Sequence, residues 1–463
     1  MKSQIVCVSL AIGLVLAQES PPGPRTQNNQ EQNLDSTDEP QPSELPDSGP
    51  SILSRDNGAT VQPVGKLLDL RFYADITGVY DSGLTPVEVN AQASSTNAAG
   101  YGVEAGFGLV GSRKWEHDQL SVEYRGRFRE YANDTLLNGT DQFLKLGYRH
   151  DFQRHLALNL KETAGTTTLA NGEFAYLPLT NADLFALPSN ELFDNRTNYL
   201  ESQADLTWDK TAQLSFEAGG EGFVVRRDSL ALAGLNGYTA HANVVYRLTR
   251  HQTISAGFKY TSFDFERIFG GAALETAAIE YAVELGRHLD LALEAGGSRV
   301  DARGLTVAPI DPAIAAIIGE SVATVTFSRV LYVPELQFQL VRRFRRSSLR
   351  LGFSDGVSPG NGVYLTSRLT SATLGYSYIG YRRLTLAANG GYSQLSTIGQ
   401  TLGRYSNLEA GGAMTYRIAG DTHLEIRYDF RHYTTQNSFY KMDSNRVSLG
   451  LAYSPGDTPL SIW

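Results

Sequence analysis

Cysteine is almost missing from this chain, and its single copy, Cys7, lies close to the start. Disulfides within the chain and metal centres built on cysteine are therefore excluded. Long apolar runs are missing too. Beyond the first residues none approaches the ~20 apolar residues of a membrane-crossing helix, which excludes a helical membrane bundle but not a barrel, where only every second strand residue faces lipid. Positive charge is in deficit, with 40 Lys and Arg against 49 Asp and Glu for a net charge of -9. That removes the basic footprint of a nucleic-acid binder. No H-E-x-x-H, G-x-S-x-G, Walker A or EF-hand pattern is present. The histidines His117, His150, His155, His241, His251, His288, His423 and His432 sit mostly at or beside predicted turns. No enzyme, metal or cofactor is expected.

What is present is strand periodicity. Leu120, Val122, Tyr124 and Phe128 alternate with Ser121, Glu123, Arg125, Arg127 and Arg129. Leu144, Leu146 and Tyr148 alternate with Lys145, Gly147 and Arg149, and Leu156, Leu158 and Leu160 with Ala157, Asn159 and Lys161. A period of two gives each strand one apolar and one polar face. Carried around a closed sheet, it turns apolar side chains to lipid and charges to a lumen. A mean hydropathy of -0.24, 24 Tyr, 20 Phe and 45 Gly suit such a barrel.

The chain divides into three parts. Residues 1–17 read as an export signal, with Lys2, the apolar stretch Ile5 to Leu16 and the small-residue pattern Val15-Leu16-Ala17. Residues 18–66 are rich in proline and acid and lack apolar periodicity, so they cannot bury enough surface to offset their ordering entropy. A disordered periplasmic spacer is expected there. A plug or arm threaded into the lumen is the sharper reading of the same segment. Residues 67–463 are expected to form the barrel.

Eighteen strands are predicted, at 69–81, 99–112, 117–131, 140–151, 154–166, 196–209, 211–225, 236–249, 251–265, 274–287, 288–300, 326–344, 347–356, 363–379, 382–395, 404–418, 420–434 and 443–454. The connections after even-numbered strands are tight, as at Asp209-Lys210, Arg345-Arg346 and Gly420-Asp421, and those after odd-numbered strands are longer, above all 82–98, 167–195 and 301–325. Short periplasmic turns and long outer loops are the mark of a transmembrane barrel, and an even count returns both ends to the periplasm. Gly219-Gly220 and Gly296-Gly297 read as bends within strands, Pro334 predicts a bulge, and Ala313-Ile-Ala-Ala-Ile-Ile318 is the one plausible helix beyond the signal.

Trp115 and Trp208 fall at predicted tight turns and Trp463 ends the chain. All three are candidate interfacial aromatics, because an indole is apolar in body and polar at its N–H. The candidate pore-lining residues are Arg125, Arg127, Arg129, Lys145, Arg149 and Lys161 on one side of the ring, Glu217 and Glu221 after them, and Glu280, Glu284, Asp290, Glu294 and Glu335 farther round. A basic wall is thus expected to face an acidic one, a transverse field that would orient polar solutes. The blander expectation is that these charges pair across neighbouring strands and brace the wall. Alternating Glu425, Arg427, Asp429 and Arg431 favour bracing locally.

The signal, the Pro-rich spacer, the serial hairpins and segments such as Tyr124-Arg-Gly-Arg-Phe-Arg-Glu-Tyr131 resemble a Gram-negative outer-membrane β-barrel protein. They are similar to the β-barrel porin family associated with exopolysaccharide export. The resemblance implies an all-β, transmembrane antiparallel barrel of about 18 strands that passes polar solutes, with saccharide or exopolysaccharide as candidates. The partners it implies are outer-membrane lipid and the barrel-assembly machinery, which would read the C-terminal strand. Pro455 and Pro459 interrupt that final alternation, so the last strand is expected either at Asn445 to Tyr453 or through Leu460 to Trp463. From a different class comes a structural or adhesive barrel with a closed lumen and partner-binding outer loops.

Overall fold

The structure is a computed structural model and describes residues 68–82, 100–132, 138–167, 196–230, 232–286, 288–311, 317, 319, 321–381, 383–398, 403–435 and 441–454. The expected signal, the spacer, Trp463, Pro455, Pro459, the loop tips 83–99 and 168–195, and most of the expected helix at 313–318 lie outside these residues.

Eighteen strands are formed: β1 (Leu68–Asp81), β2 (Gly100–Lys114), β3 (Asp118–Tyr131), β4 (Gly139–Gln153), β5 (Leu156–Thr167), β6 (Thr197–Asp209), β7 (Leu214–Arg227), β8 (Gly234–Thr249), β9 (Gln252–Glu266), β10 (Gly271–Glu284), β11 (Leu289–Pro309), β12 (Val322–Arg343), β13 (Ser347–Ser358), β14 (Ser367–Tyr378), β15 (Leu384–Thr397), β16 (Arg404–Ala419), β17 (Thr422–Thr435) and β18 (Lys441–Tyr453). Each pairs antiparallel with its neighbours in chain order. The first strand also pairs with the last, from Ala74 opposite Tyr453 to Asp81 opposite Arg446, and this closes the sheet. Closure matters because it removes the unpaired edges that a lone sheet would present.

The period-two pattern becomes two faces of opposite character. Along β3, Leu120 and Phe128 are exposed while Arg125, Arg129 and Tyr131 are buried. The same reversal holds around the ring: Ile76, Val103, Leu200, Phe258, Ile279 and Leu449 are exposed, whereas Asp75, Glu104, Glu201, Thr261, Thr276 and Arg446 are buried. A closed sheet has only an outside and an inside, so these apolar side chains form its outer face and these polar ones part of its inner wall.

The turns at one end are closed by the backbone itself. Trp115 N–H donates to Asp118 O at 2.7 Å, Leu285 N–H to Leu289 O at 2.7 Å and Phe344 N–H to Ser347 O at 2.7 Å. Register slips at Asp151/Gln153, Arg247/Thr249 and Arg417/Ala419 fall at this same end, where the chain must reverse within a few residues. Gly420, with φ +53°, supplies the left-handed turn residue between β16 and β17.

Three expectations need correction. The connection expected at 301–325 is mostly strand, because β11 and β12 pair as far as Pro309 opposite Val322. In this extension Arg299 meets Glu275 at 3.2 Å and Arg303 meets Asp264 at 2.8 Å on the outer face, while Val300 and Ala302 are buried behind them. Pro334 makes no bulge: β11 and β12 keep register through Gly297 opposite Pro334. It stands just beyond Leu336 opposite Asp355, the last pair between β12 and β13, a place where a missing N–H is tolerated. The expected fourteenth strand begins at Ser367 rather than at 363, and residues 363–366 belong to the connection before it.

Candidate functional site

The inner wall where the barrel closes is built from β18 and β1 to β4. Arg127 Nη1 donates to Glu104 Oε2 at 3.0 Å and lies 3.6 Å from Asp75; Arg446 Nη2 reaches Glu104 Oε1 at 2.6 Å. Arg129 pairs with Asp141 on β4 and lies 3.7 Å from Glu104. Arg125 pairs with Glu123 on its own strand. The side chains of Glu104 and Arg129 are fully covered. A buried charge left unpaired is very costly, so these groups are held together by mutual need. Gly106 stands opposite Asp75 in the ladder, and a Cβ there would run into the Asp75 carboxylate. The glycine makes room for the acid.

Around the ring the inward charges meet both opposite charges and neutral donors. Lys161 lies 3.6 Å from the covered Glu201. Asn243 donates to Glu217 at 3.3 Å, and Glu221 is buried two inward positions farther along β7, past Gly219. Ser255 donates to Glu280 at 3.1 Å, while Glu335 accepts from Ser298 and, at 3.4 Å, from Thr276. Glu294 and Glu335 line a recess with Lys259, Gln337, Ser354 and Asp355. On β17, Arg427 grips Asp429 with two hydrogen bonds of 2.7 and 3.1 Å, and Arg431 stands opposite Glu409 of β16.

Three of the expected lining residues lie toward the tight-turn end. Arg149 pairs with Asp151 at 3.0 Å, Glu284 with His251 at 3.2 Å and Asp290 with Arg343 at 2.7 Å. Lys145 stands opposite Glu123 in the β3–β4 ladder. Trp115 lies under the Arg113 guanidinium at 4.8 Å, and Trp208 stacks on Phe216 with ring centroids 5.6 Å apart. Both indoles are partly exposed at tight turns.

The opposite end of the barrel holds features that sequence reasoning missed. The connection 359–366 between β13 and β14 turns inward: Asn361, Tyr364, Leu365 and Thr366 are all buried. Gly360 and Gly362 adopt φ of +80° and +89°, which folds the segment tightly. Gly362 O accepts from Ala233 N at 3.0 Å, joining this connection to the one between β7 and β8. Strands β9 to β12 separate those two connections along the wall, so the bond forms a chord across part of the mouth. Arg227 secures it by donating to Ala233 O at 2.5 Å. Burial raises the Tyr364 phenol above its ordinary pKa. Below lies a buried apolar cluster that includes Phe143, Tyr199, Phe223, Phe263 and Val357.

The wall of β3 to β5 is not the basic surface that residue counting suggests. Asp75, Glu104 and Asp141, none of them among the expected lining residues, neutralise its arginines. Their strands show no alternating run of charge, and only register with β3 reveals the partner. The signal available was their parity, since all three occupy the polar phase of the alternation.

Several solved structures are similar in part. Pseudomonas aeruginosa OpdQ matches at 11% identity over 85% of this chain and 98% of its own, with a TM-score of 0.43. Pseudomonas aeruginosa OccK2 (OpdF), in complex with glucuronate, matches at 13% identity over 84% and 99%, with a TM-score of 0.43. Acinetobacter baumannii OccAB1 matches at 11% identity over 86% and 99%, with a TM-score of 0.40. No protein-family model and no curated protein matches the chain. The barrel rests on its own strand pairing.

Proposed function

We propose that this chain is a porin-like channel of the Gram-negative outer membrane that passes small polar solutes, saccharides among them, by passive diffusion. The observation that carries this reading is the reversed polarity of the closed sheet: exposed apolar side chains such as Ile279 and Phe258 outside, buried charges such as Glu104 and Arg129 inside. A soluble sheet does the opposite. An outer apolar band belongs in lipid, and a ring of eighteen strands is wide enough to hold water within.

In this reading Arg125, Arg127, Arg129, Lys145 and Lys161 line the pore with Glu217, Glu221, Glu280, Glu294, Glu335, Arg427 and Arg431, and Arg149, Glu284 and Asp290 frame its tight-turn opening. The paired charges brace the wall on the side of β18 and β1 to β4. Selection then comes from width and from the 359–366 connection. The tight turns and both chain ends face the periplasm, Trp115, Trp208 and Trp463 sit at the lipid boundary, and exopolysaccharide export is the narrower role to which the sequence resemblance points.

A closed-lumen, adhesive barrel is the second reading, favoured by the buried apolar cluster around Phe223 and Phe263 near the mouth. Liposome swelling separates the two. Proteoliposomes holding the purified barrel should swell in isotonic monosaccharide faster than protein-free liposomes. Equal rates for every small solute would overturn the channel and leave the closed barrel.

A further inference from the structure

We propose that Asp205, Glu217 and His241 form a binding site for a divalent transition-metal cation, Zn2+ in the first instance, on the inner wall of the barrel. The three come from consecutive strands β6, β7 and β8, and one donor atom from each lies within 4.8 Å of the others. His241 Nε2 is 3.2 Å from Asp205 Oδ1. Metal–ligand bonds of about 2.0–2.2 Å place the donors of a tetrahedral ion roughly 3.3 Å apart. The aspartate and the imidazole already stand at that spacing, and the longer Glu217 side chain has the reach to close the remainder.

Three further features point to an ion rather than to a chance grouping. Asp205 is 91% buried, and its Oδ1, which faces the cluster, is met there by His241 Nε2 alone among the contacts of the described residues. The outward oxygens are already held: Gln203 Nε2 donates to Asp205 Oδ2 at 2.8 Å, and Asn243 Nδ2 donates to Glu217 Oε2 at 3.3 Å. Side-chain amides that fix the far oxygen of a carboxylate orient it as second-shell groups orient metal ligands. Between Asp205 and His241 in the ladder stands Gly219, where a Cβ would strike Asp205 Oδ1 and come within 2.8 Å of His241 Cε1. Glycine keeps open the space that an ion needs.

The donor set selects the class of ion. One imidazole and two carboxylates suit Zn2+ and its first-row neighbours better than Ca2+, which takes six or more oxygens, or Mg2+, which keeps most of its waters. Two carboxylates also balance a charge of +2 when the imidazole binds neutral. Lys259 on β9 stands opposite His241 in the ladder. Its long stem lets the ammonium swing into the lumen. The fourth coordination position is then open to water.

The site depends on strand register and stands whether or not the barrel conducts. It is tested by isothermal titration of full-length barrel, purified in detergent, with ZnCl2 alone. One Zn2+ per chain is expected, with Asp205→Asn and His241→Gln each weakening binding at least tenfold while far-UV circular dichroism is unchanged. A wild-type barrel that takes up no stoichiometric Zn2+ overturns the proposal whatever the variants do. So does wild-type affinity retained in folded Asp205→Asn or His241→Gln.

Discussion

Arg446 on the last strand reaches across β1 to Glu104 on the second at 2.6 Å, so one buried ion pair spans the seam at which the barrel closes. Glu104 also takes Arg127 at 3.0 Å and has Arg129 3.7 Å away. One carboxylate therefore answers to three guanidinium groups. Glu104→Gln keeps the shape and removes the charge, and it is expected to destabilise the barrel by about 3 kcal/mol, as removal of one member of a buried pair does. Adding Arg446→Met should recover part of that loss by removing a stranded cation. The denaturant midpoint of the detergent-folded barrel, compared across the single and double variants, checks both.

The outer face makes a separate prediction. Ile279 is 58% exposed near the middle of β10. Arginine there would have to sit in lipid, at a cost of about 2–4 kcal/mol at mid-depth. Ser255→Arg points to the inner wall beside Glu280 and should be tolerated. Assembly yield in outer-membrane fractions is the comparison. Equal yields for Ile279→Arg and Ser255→Arg would mean that the outer face does not meet lipid.

The chord between Gly362 and Ala233 should narrow the mouth. Replacing residues 360–365 by a short Gly-rich turn is expected to raise unitary conductance without changing strand content by circular dichroism. Unchanged conductance would place the narrowest point elsewhere.

The barrel was legible in the sequence because strand alternation and connection length are local signals. Both survive one residue at a time, and β3, β6 and β16 fall within a residue or so of expectation. Charge pairing was less legible. Arg127 and Arg129 could be assigned to the inner face, but their partners Asp75, Glu104 and Asp141 come from three other strands, and register is set by the whole sheet. The same limit hid the cluster at Asp205, where Gly219 reads as a bend until the ladder places it between the aspartate and His241. The inward connection 359–366 was missed for another reason. Val363 and Tyr364 continue a strand-like alternation, and only the positive φ at Gly360 and Gly362 turns that stretch inside.

An open, polar lumen inside a lipid-facing barrel should conduct ions, and single-channel recording of the purified protein in planar lipid bilayers reads that conductance. Discrete open steps are expected, and an ion preference that moves toward cations when Arg125, Arg127 and Arg129 are replaced by glutamine, because Asp75 and Asp141 then lose their counter-charges and Glu104 keeps only Arg446. Bilayers that never conduct with correctly folded barrel inserted would contradict it.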